Sequence, residues 1–276
     1  MKIAYTGWTW MLGGGDAEAS KKALESSFRE CKYLGYDYVE NFAFIADFFD
    51  DPRELVDMQK RNGVELVNLY GHFMFDEEKA LETCKKQIAF LAASGGKWYN
   101  CQNSGFGDDG PVERPTNPEM VGAISRIANK LGEYAKALGV TLCFHPHYNT
   151  CIFSQSDIDL LAESTDPDFV SFCVDTAHTT IAGIDPCALI RQLGSRVAFM
   201  HLKDVDTHAL SKADGTARMS TFRALGLGTV NFPAVKAALE EIGYDGVLCV
   251  ELDSPAICNY NSAEFSRKYI RLALGL

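Results

Sequence analysis

The chain of 276 residues contains no run of about 18 uninterrupted apolar residues, so no membrane span is expected. It contains no CxxC pair either. The nine cysteines (Cys31, Cys84, Cys101, Cys143, Cys151, Cys173, Cys187, Cys249 and Cys258) are odd in number and scattered, which argues against a disulfide framework or a structural zinc knuckle and fits a reducing cytoplasm. Basic charge is scarce: 26 Lys and Arg stand against 37 Asp and Glu, giving −11, with no basic stripe for a phosphate backbone. Nucleic acid is therefore not an expected partner. The opening MKIAYTGWTW lacks the length and cleavage signals of a secretory leader. Glycines cluster at 13–15 and in GFGDDG at 105–110, but neither follows a dinucleotide fingerprint, and no nicotinamide cofactor is expected.

What the chain does have is ordinary globular composition, with 47% hydrophobic and 23% charged residues, which excludes disordered and collagen-like classes. Eight short apolar or β-branched runs recur on the ~30-residue scale of βα units. They begin at Lys2 (KIAYT), Tyr38 (YVENF), Val64 (VELVNLY), Lys97 (KWYNC), Thr141 (TLCFH), Val170 (VSFCVD), Val197 (VAFMHLK) and Gly246 (GVLCVE). Segments of helical period lie between them, among them 17–34, 77–93, 118–138, 156–162, 186–193 and 232–242, and Gly35, Gly63, Gly95, Gly139 and Gly243 stand where helices should stop. With no linker or low-complexity stretch, the alternation predicts a TIM (β/α)8 barrel in a single domain over 1–276. A doubly wound open sheet is the alternative, because strand succession alone does not demonstrate closure.

All six histidines fall at ends of these strands or in the loops that follow: His72, His145, His147, His178, His201 and His208. In a barrel those ends form one face, where active sites lie. Carboxylates gather there as well, since Glu40, Asp175 and Glu251 each close an apolar run, a costly position for an acid without a partner or metal. His145, Asp175, His201 and Glu251, from four adjacent strands, make a plausible set of metal ligands. Mixed imidazole and carboxylate suits Mn²⁺, Co²⁺, Zn²⁺ or Fe²⁺ better than Ca²⁺. Two residues earlier, period-two alternation puts Cys143, Cys173, Phe199 and Cys249 one layer deeper, as core filler or, less simply, as a thiol metal site.

At this point the sequence is identified as resembling a known family. FHPHYNTCIFSQSDIDLLAESTDPDFVSFCVDTAHTTIAGIDPCALIRQLGSRVAFMHLKDVD and GLGTVNFPAVKAALEEIGYDGVLCVELDSP are similar to the xylose isomerase-like barrel superfamily of sugar isomerases, epimerases and endonuclease IV. Within it the resemblance is to inosose dehydratases, through the HxH end of strand five, AGIDP and HLKDV. It covers 141–255 well and the first half more thinly. The resemblance implies that Asp175, His201 and Glu251 hold a divalent cation. Most isomerases and epimerases of the superfamily carry glutamate where this chain has His145, a departure shared with the dehydratases.

A cation there would chelate a ketone oxygen and an adjacent hydroxyl and stabilise an enediolate. Dehydration of a keto-cyclitol or related keto-sugar is the leading expectation, and ketose isomerisation or epimerisation on the same barrel is the rival. Phosphodiester cleavage is disfavoured by charge and by too few histidines, and a non-enzymatic sugar-binding module is a fourth reading. Glu40, His178, Lys203 and Glu251 are the acid/base candidates, with orientation of a ligand as the alternative role for Lys203 and a barrel-mouth ion pair for Glu40. His72, His147, Trp10 and Tyr70 are candidate substrate contacts; Trp8, Phe73 and Phe75 are further candidates for a wall, or else ordinary packing. Asp204 is either solvated or holds a neighbouring loop. The loop 206–227, with Lys212, Arg218 and Arg223 and no clear strand or helix signal, reads as a lid, binding loop or subunit contact. A cytoplasmic homo-oligomer acting on a small molecule is expected.

Overall fold

The computed structural model describes residues 1–103, 115–213 and 220–276, so Arg218 and the GFGDDG segment lie outside the described residues. Eight parallel strands close a barrel: β1 (Lys2–Thr6), β2 (Tyr38–Phe42), β3 (Glu65–Phe73), β4 (Trp98–Asn103), β5 (Thr141–Phe144), β6 (Val170–Asp175), β7 (Val197–Leu202) and, after two short strands, β10 (Val247–Val250). β1 pairs with both β2 and β10, which excludes the open sheet. The helices α1 (Ala17–Tyr33), α3 (Glu77–Ala93), α4 (Pro118–Ala137), α5 (Gln155–Ser164), α7 (Pro186–Leu193) and α9 (Phe232–Glu241) match the periodic segments. α2 (Pro52–Asn62), α6 (Thr176–Ile181) and α10 (Asn259–Tyr269) complete the longer helical elements among the described residues. Among the described residues no helix is long and apolar enough to cross a membrane.

Local chemistry sets these boundaries. Asp51, Asn117 and Asp185 each cap a helix by accepting an N-terminal backbone N–H, with proline next in the chain, where its missing N–H costs nothing. At the other end of α2, Gly63 adopts a left-handed φ of 64°, a conformation glycine reaches without a Cβ penalty.

The main core lies between the outer strand faces and the helices. A second, smaller cluster fills the barrel interior with Ala4, Val67, Cys143, Cys173, Phe199, Val247 and Cys249. Every one of the four residues expected one layer below the ligand candidates is in it. Of the nine cysteines seven are buried, Cys187 is half-buried and Cys258 exposed.

The described residues of 206–227 carry regular structure that their sequence does not indicate. β8 (Asp204–Val205) pairs antiparallel with β9 (Phe222–Arg223), and α8 (Thr207–Leu210) follows β8. Two-residue strands have no periodicity to read, and their partner is remote in sequence. Asp204 holds the returning chain: buried, its carboxylate accepts N–H bonds from Val205, Gly226, Gly228 and Val230 at 2.9–3.1 Å. Gly228 is required there, because a Cβ would sit 2.3 Å from Asp204 Oδ1. Arg223 donates to Ser220 O and Phe222 O and pairs with Asp206 at 3.4 Å. Its charge is therefore committed to the loop itself.

Three outcomes follow from this packing. Replacing Gly132 in α4 by alanine puts a Cβ 2.2 Å from the backbone oxygen of Phe169, so G132A lowers the unfolding free energy read by urea titration by about 1–3 kcal/mol. On the same helix Gly122 faces only the flexible end of Arg126 at 3.8 Å, and G122A raises stability by about 0.5–1 kcal/mol. Asp204→Ala strands its backbone donors, at about 1–3 kcal/mol. In hydrogen exchange, protection of the Gly226, Gly228 and Val230 amides then falls while that of β6 and β7 holds; equal protection in both proteins refutes the role given to Asp204.

Candidate active site

Strand ends β2, β5, β6, β7 and β10 deliver Glu40, His145, Asp175, His201 and Glu251 to one buried cluster. His201 sits at its middle. Its Nε2 faces Glu40 Oε2 at 2.9 Å across the barrel, and its Nδ1 lies 2.7 Å from Glu251 Oε2 and 3.8 Å from Asp175 Oδ2. With Glu40 facing Nε2, Nδ1 is the nitrogen turned toward Asp175 and Glu251.

Each acid in the cluster divides its two oxygens. Asp175 caps α6 with Oδ1, which accepts from Ala177 N at 2.7 Å and His178 N at 2.8 Å, and leaves Oδ2 without a hydrogen bond. Glu251 gives Oε1 to the Lys203 ammonium at 2.9 Å and likewise leaves Oε2 without one. His201 Nδ1 is the third such atom, despite its closeness to Glu251, because the alignment of a hydrogen bond is missing. Ligand atoms of Asp175, His201 and Glu251 all lie within 4.8 Å of one another. His145 shares a group of the same size with Asp175 and His178, and both of its ring nitrogens are buried without partners among the described residues. Buried polar atoms are almost always satisfied, so several unsatisfied ones aimed at one point are the arrangement a cation completes. Oxygen and imidazole donors together fit a divalent transition ion.

Electrostatics agree with crowding of acids around few cations. Burial, reinforced by Glu251, raises the Asp175 carboxyl to about 7, against the pull of Lys203 and His201. Burial raises Glu251 too, but Lys203 and His201 outweigh it and hold the carboxyl well below its usual range. His201 is driven down by burial and up by Cys173, Glu40 and Glu251, which win. Burial holds His145 and His178 well below the usual imidazole value and His147 at about 3, so these rings are neutral.

Lys203 is fully buried between Glu251 and Asp253 Oδ2, the latter at 2.8 Å, with His178 Nε2 at 3.3 Å and the Phe222 ring 4.4 Å away. Burial alone would lower its value; Asp253, Glu251 and Asp175 reverse this and raise it. Such an ammonium keeps its proton, and its position is that of a group orienting Glu251. Glu40 similarly serves His201: the same Oε2 accepts from Asn68 Nδ2 and from Asn100 Nδ2, the latter at 3.0 Å.

Of the six histidines, five gather here. His147 and His178 have ring centroids 3.7 Å apart, His145 and His201 4.7 Å, and Tyr70 stacks on His145 at 5.1 Å while touching His72. His208 is exposed on α8, apart from these ring contacts. Tyr70 Oη donates to Gln102 Oε1. Trp10 does not reach the site. Its Nε1 donates to Glu30 Oε2 of α1 at 2.8 Å, and its ring packs edge-on against Tyr5, a residue of the outer core. Trp8 is the indole at the mouth, 5.1 Å from Phe42, which stacks on Tyr70. Phe73 packs against Phe144 in the outer core, and Phe75 is exposed.

Sequence reasoning missed Asn68, Asn100, Asp253 and Phe222. Asn68 was detectable as a lone amide inside VELVNLY, two residues before Tyr70 on the same face, and Asp253 stands two residues past Glu251. Nothing local marks Phe222, which arrives only through the β8–β9 pairing.

Comparison with known proteins agrees with this fold. The chain is 31% identical over 216 residues to the inosose dehydratase of Geobacillus thermodenitrificans (strain NG80-2), covering 72% of each. The structure of L-ribulose 3-epimerase superposes with a TM-score of 0.79 at 20% identity, covering 100% of this chain and 95% of the other. The IolI protein, solved with a binding zinc atom, gives 0.75 at 17% identity, covering 98% and 97%. The model of the xylose isomerase-like TIM barrel matches residues 28–270, and the chain belongs to that family.

Proposed function

We propose that this protein is a cation-dependent lyase that removes water from a keto-cyclitol, an inosose, or a closely related keto-sugar, with His145, Asp175, His201 and Glu251 holding a Mn²⁺, Co²⁺ or Zn²⁺ ion. The observation that carries the reading is the set of buried, unpartnered atoms on these four residues. Likeness to relatives named inosose dehydratase supports the substrate class, and the zinc of the IolI protein supports a cation on this fold.

When bound, the cation supplies polarisation of the substrate ketone, which acidifies the adjacent C–H. The chain's own residues do the rest. Glu40 holds His201 with Nδ1 toward the site. Lys203 keeps Glu251 anionic and fixes one of its oxygens, leaving the other for the site. His147, whose Nδ1 donates to Tyr148 O at 2.5 Å, offers Nε2 to accept a substrate hydroxyl. His178 is a neutral imidazole at the mouth, its Nε2 3.3 Å from the Lys203 ammonium and its Nδ1 3.4 Å from the Tyr148 amide. His72 and Tyr70 contribute the wall on which a ring of carbons can rest.

Epimerisation shares the first proton abstraction but needs a second acid on the opposite substrate face. Among the described residues the acids of the mouth, Glu40, Asp175, Glu251 and Asp253, are each held by a named partner, which favours elimination. Stripping the protein with a chelator abolishes turnover of 2-keto-myo-inositol, and Mn²⁺, Co²⁺ or Zn²⁺ restores it, read as growth of enedione absorbance in the ultraviolet. No absorbance change with any inosose under any of these ions rules the proposal out. Chromatography of free ketoses in the same samples decides for the epimerase if a new epimer forms instead.

A further inference from the structure

Two layers of donors, different in kind, meet at His201. Above it lie the oxygens of Asp175 and Glu251; below it lies the thiol layer of the barrel interior. Cys173 stands on β6 two residues before Asp175, so it faces the same interior one step deeper. Ligand atoms of His145, Cys173 and His201 all lie within 4.8 Å of one another, and all three residues are fully buried. Both ring nitrogens of His145 lack partners among the described residues, and Cys173 is a free thiol. Thiolate and imidazole donors favour soft ions, while carboxylates favour hard ones.

We propose that the barrel contains a second, deeper cation position, His145–Cys173–His201, that overlaps the carboxylate site through its imidazoles and takes thiophilic ions such as Cd²⁺. A thiol ligates such an ion as its thiolate, so the cation must displace a proton. Cd²⁺ forms a bond to Sγ as the S–H bond breaks, the proton passes to buffer, and no electron changes hands. An ion there withdraws His201 from the carboxylates, so Cd²⁺ and Mn²⁺ exclude one another. The inference shares those imidazoles with the catalytic reading but depends on no substrate.

The test uses the full chain with one equivalent of Cd²⁺. Cadmium X-ray absorption shows one sulfur in the first shell, a thiolate-to-cadmium band rises in the near ultraviolet, and about one proton is released per ion. The band persists in Cys143→Ala and Cys249→Ala, which leave Cys173 in place, and disappears in Cys173→Ala. A first shell of nitrogen and oxygen alone overturns the proposal even if the Cys173 variant does not fold. So does a band that survives Cys173→Ala or is lost in Cys249→Ala. Quenching of the free Mn²⁺ resonance, measured alongside, separates the two sites. Mn²⁺ bound with no cadmium–sulfur contact sinks the deep position alone, whereas a cadmium–sulfur contact without Mn²⁺ binding sinks the carboxylate site alone.

Discussion

The contact between Glu40 and His201 spans the barrel and decides what the site can be. These residues belong to β2 and β7, which are separated by β1 and β10 around the ring, so the 2.9 Å approach exists only because the sheet closes. Closure turns a strand-end glutamate into the group that fixes an imidazole's tautomer and ring orientation, a role that partners of metal-binding histidines commonly fill. Asn68 and Asn100 hold the glutamate in turn. The open nitrogen of His201 is thus set by residues on four strands.

The same closure concentrates charge. Glu40, Asp175, Glu251 and Asp253 lie around Lys203 and His201, an excess of acids in a buried space. Isolated buried carboxylates are expensive, and here the strain is expressed as an Asp175 carboxyl raised to about 7 chiefly by its burial. A divalent ion between Asp175, His201 and Glu251 would offset that excess. Lys203 cannot do so alone, because it is already shared between Glu251 and Asp253. Asp204, next in the chain, solves a different problem by tying down the loop that carries Phe222 over the ammonium. One short stretch, His201 to Asp204, therefore supplies the central imidazole, the counter-charge and the anchor of its cover.

Much of this was legible because strands impose a strict period. Apolar runs ending in His145, Asp175, His201 and Glu251 placed four side chains on one interior face, and the residues two before them in the floor. Where the period lapses, so does the reading. Trp8 and Trp10 lie in a 3-10 turn (Trp8–Met11) after β1, so alternation no longer says which of them turns inward. Glu40 and Lys203 lie at the mouth as expected, but only the distances within the barrel show that they contact His201 and Glu251. The β8–β9 pair escaped notice because its stability comes from Asp204 and from remote chain, not from local pattern.

The central claim is that the unpartnered atoms of Asp175, His201 and Glu251 converge on one ion. Anomalous X-ray diffraction from crystals grown with Mn²⁺ tests it directly. The account predicts a single strong peak within coordination distance, about 2.0–2.3 Å, of Asp175 Oδ2, His201 Nδ1 and Glu251 Oε2. A fully occupied peak elsewhere, with these three atoms bonded to one another or to water, contradicts it.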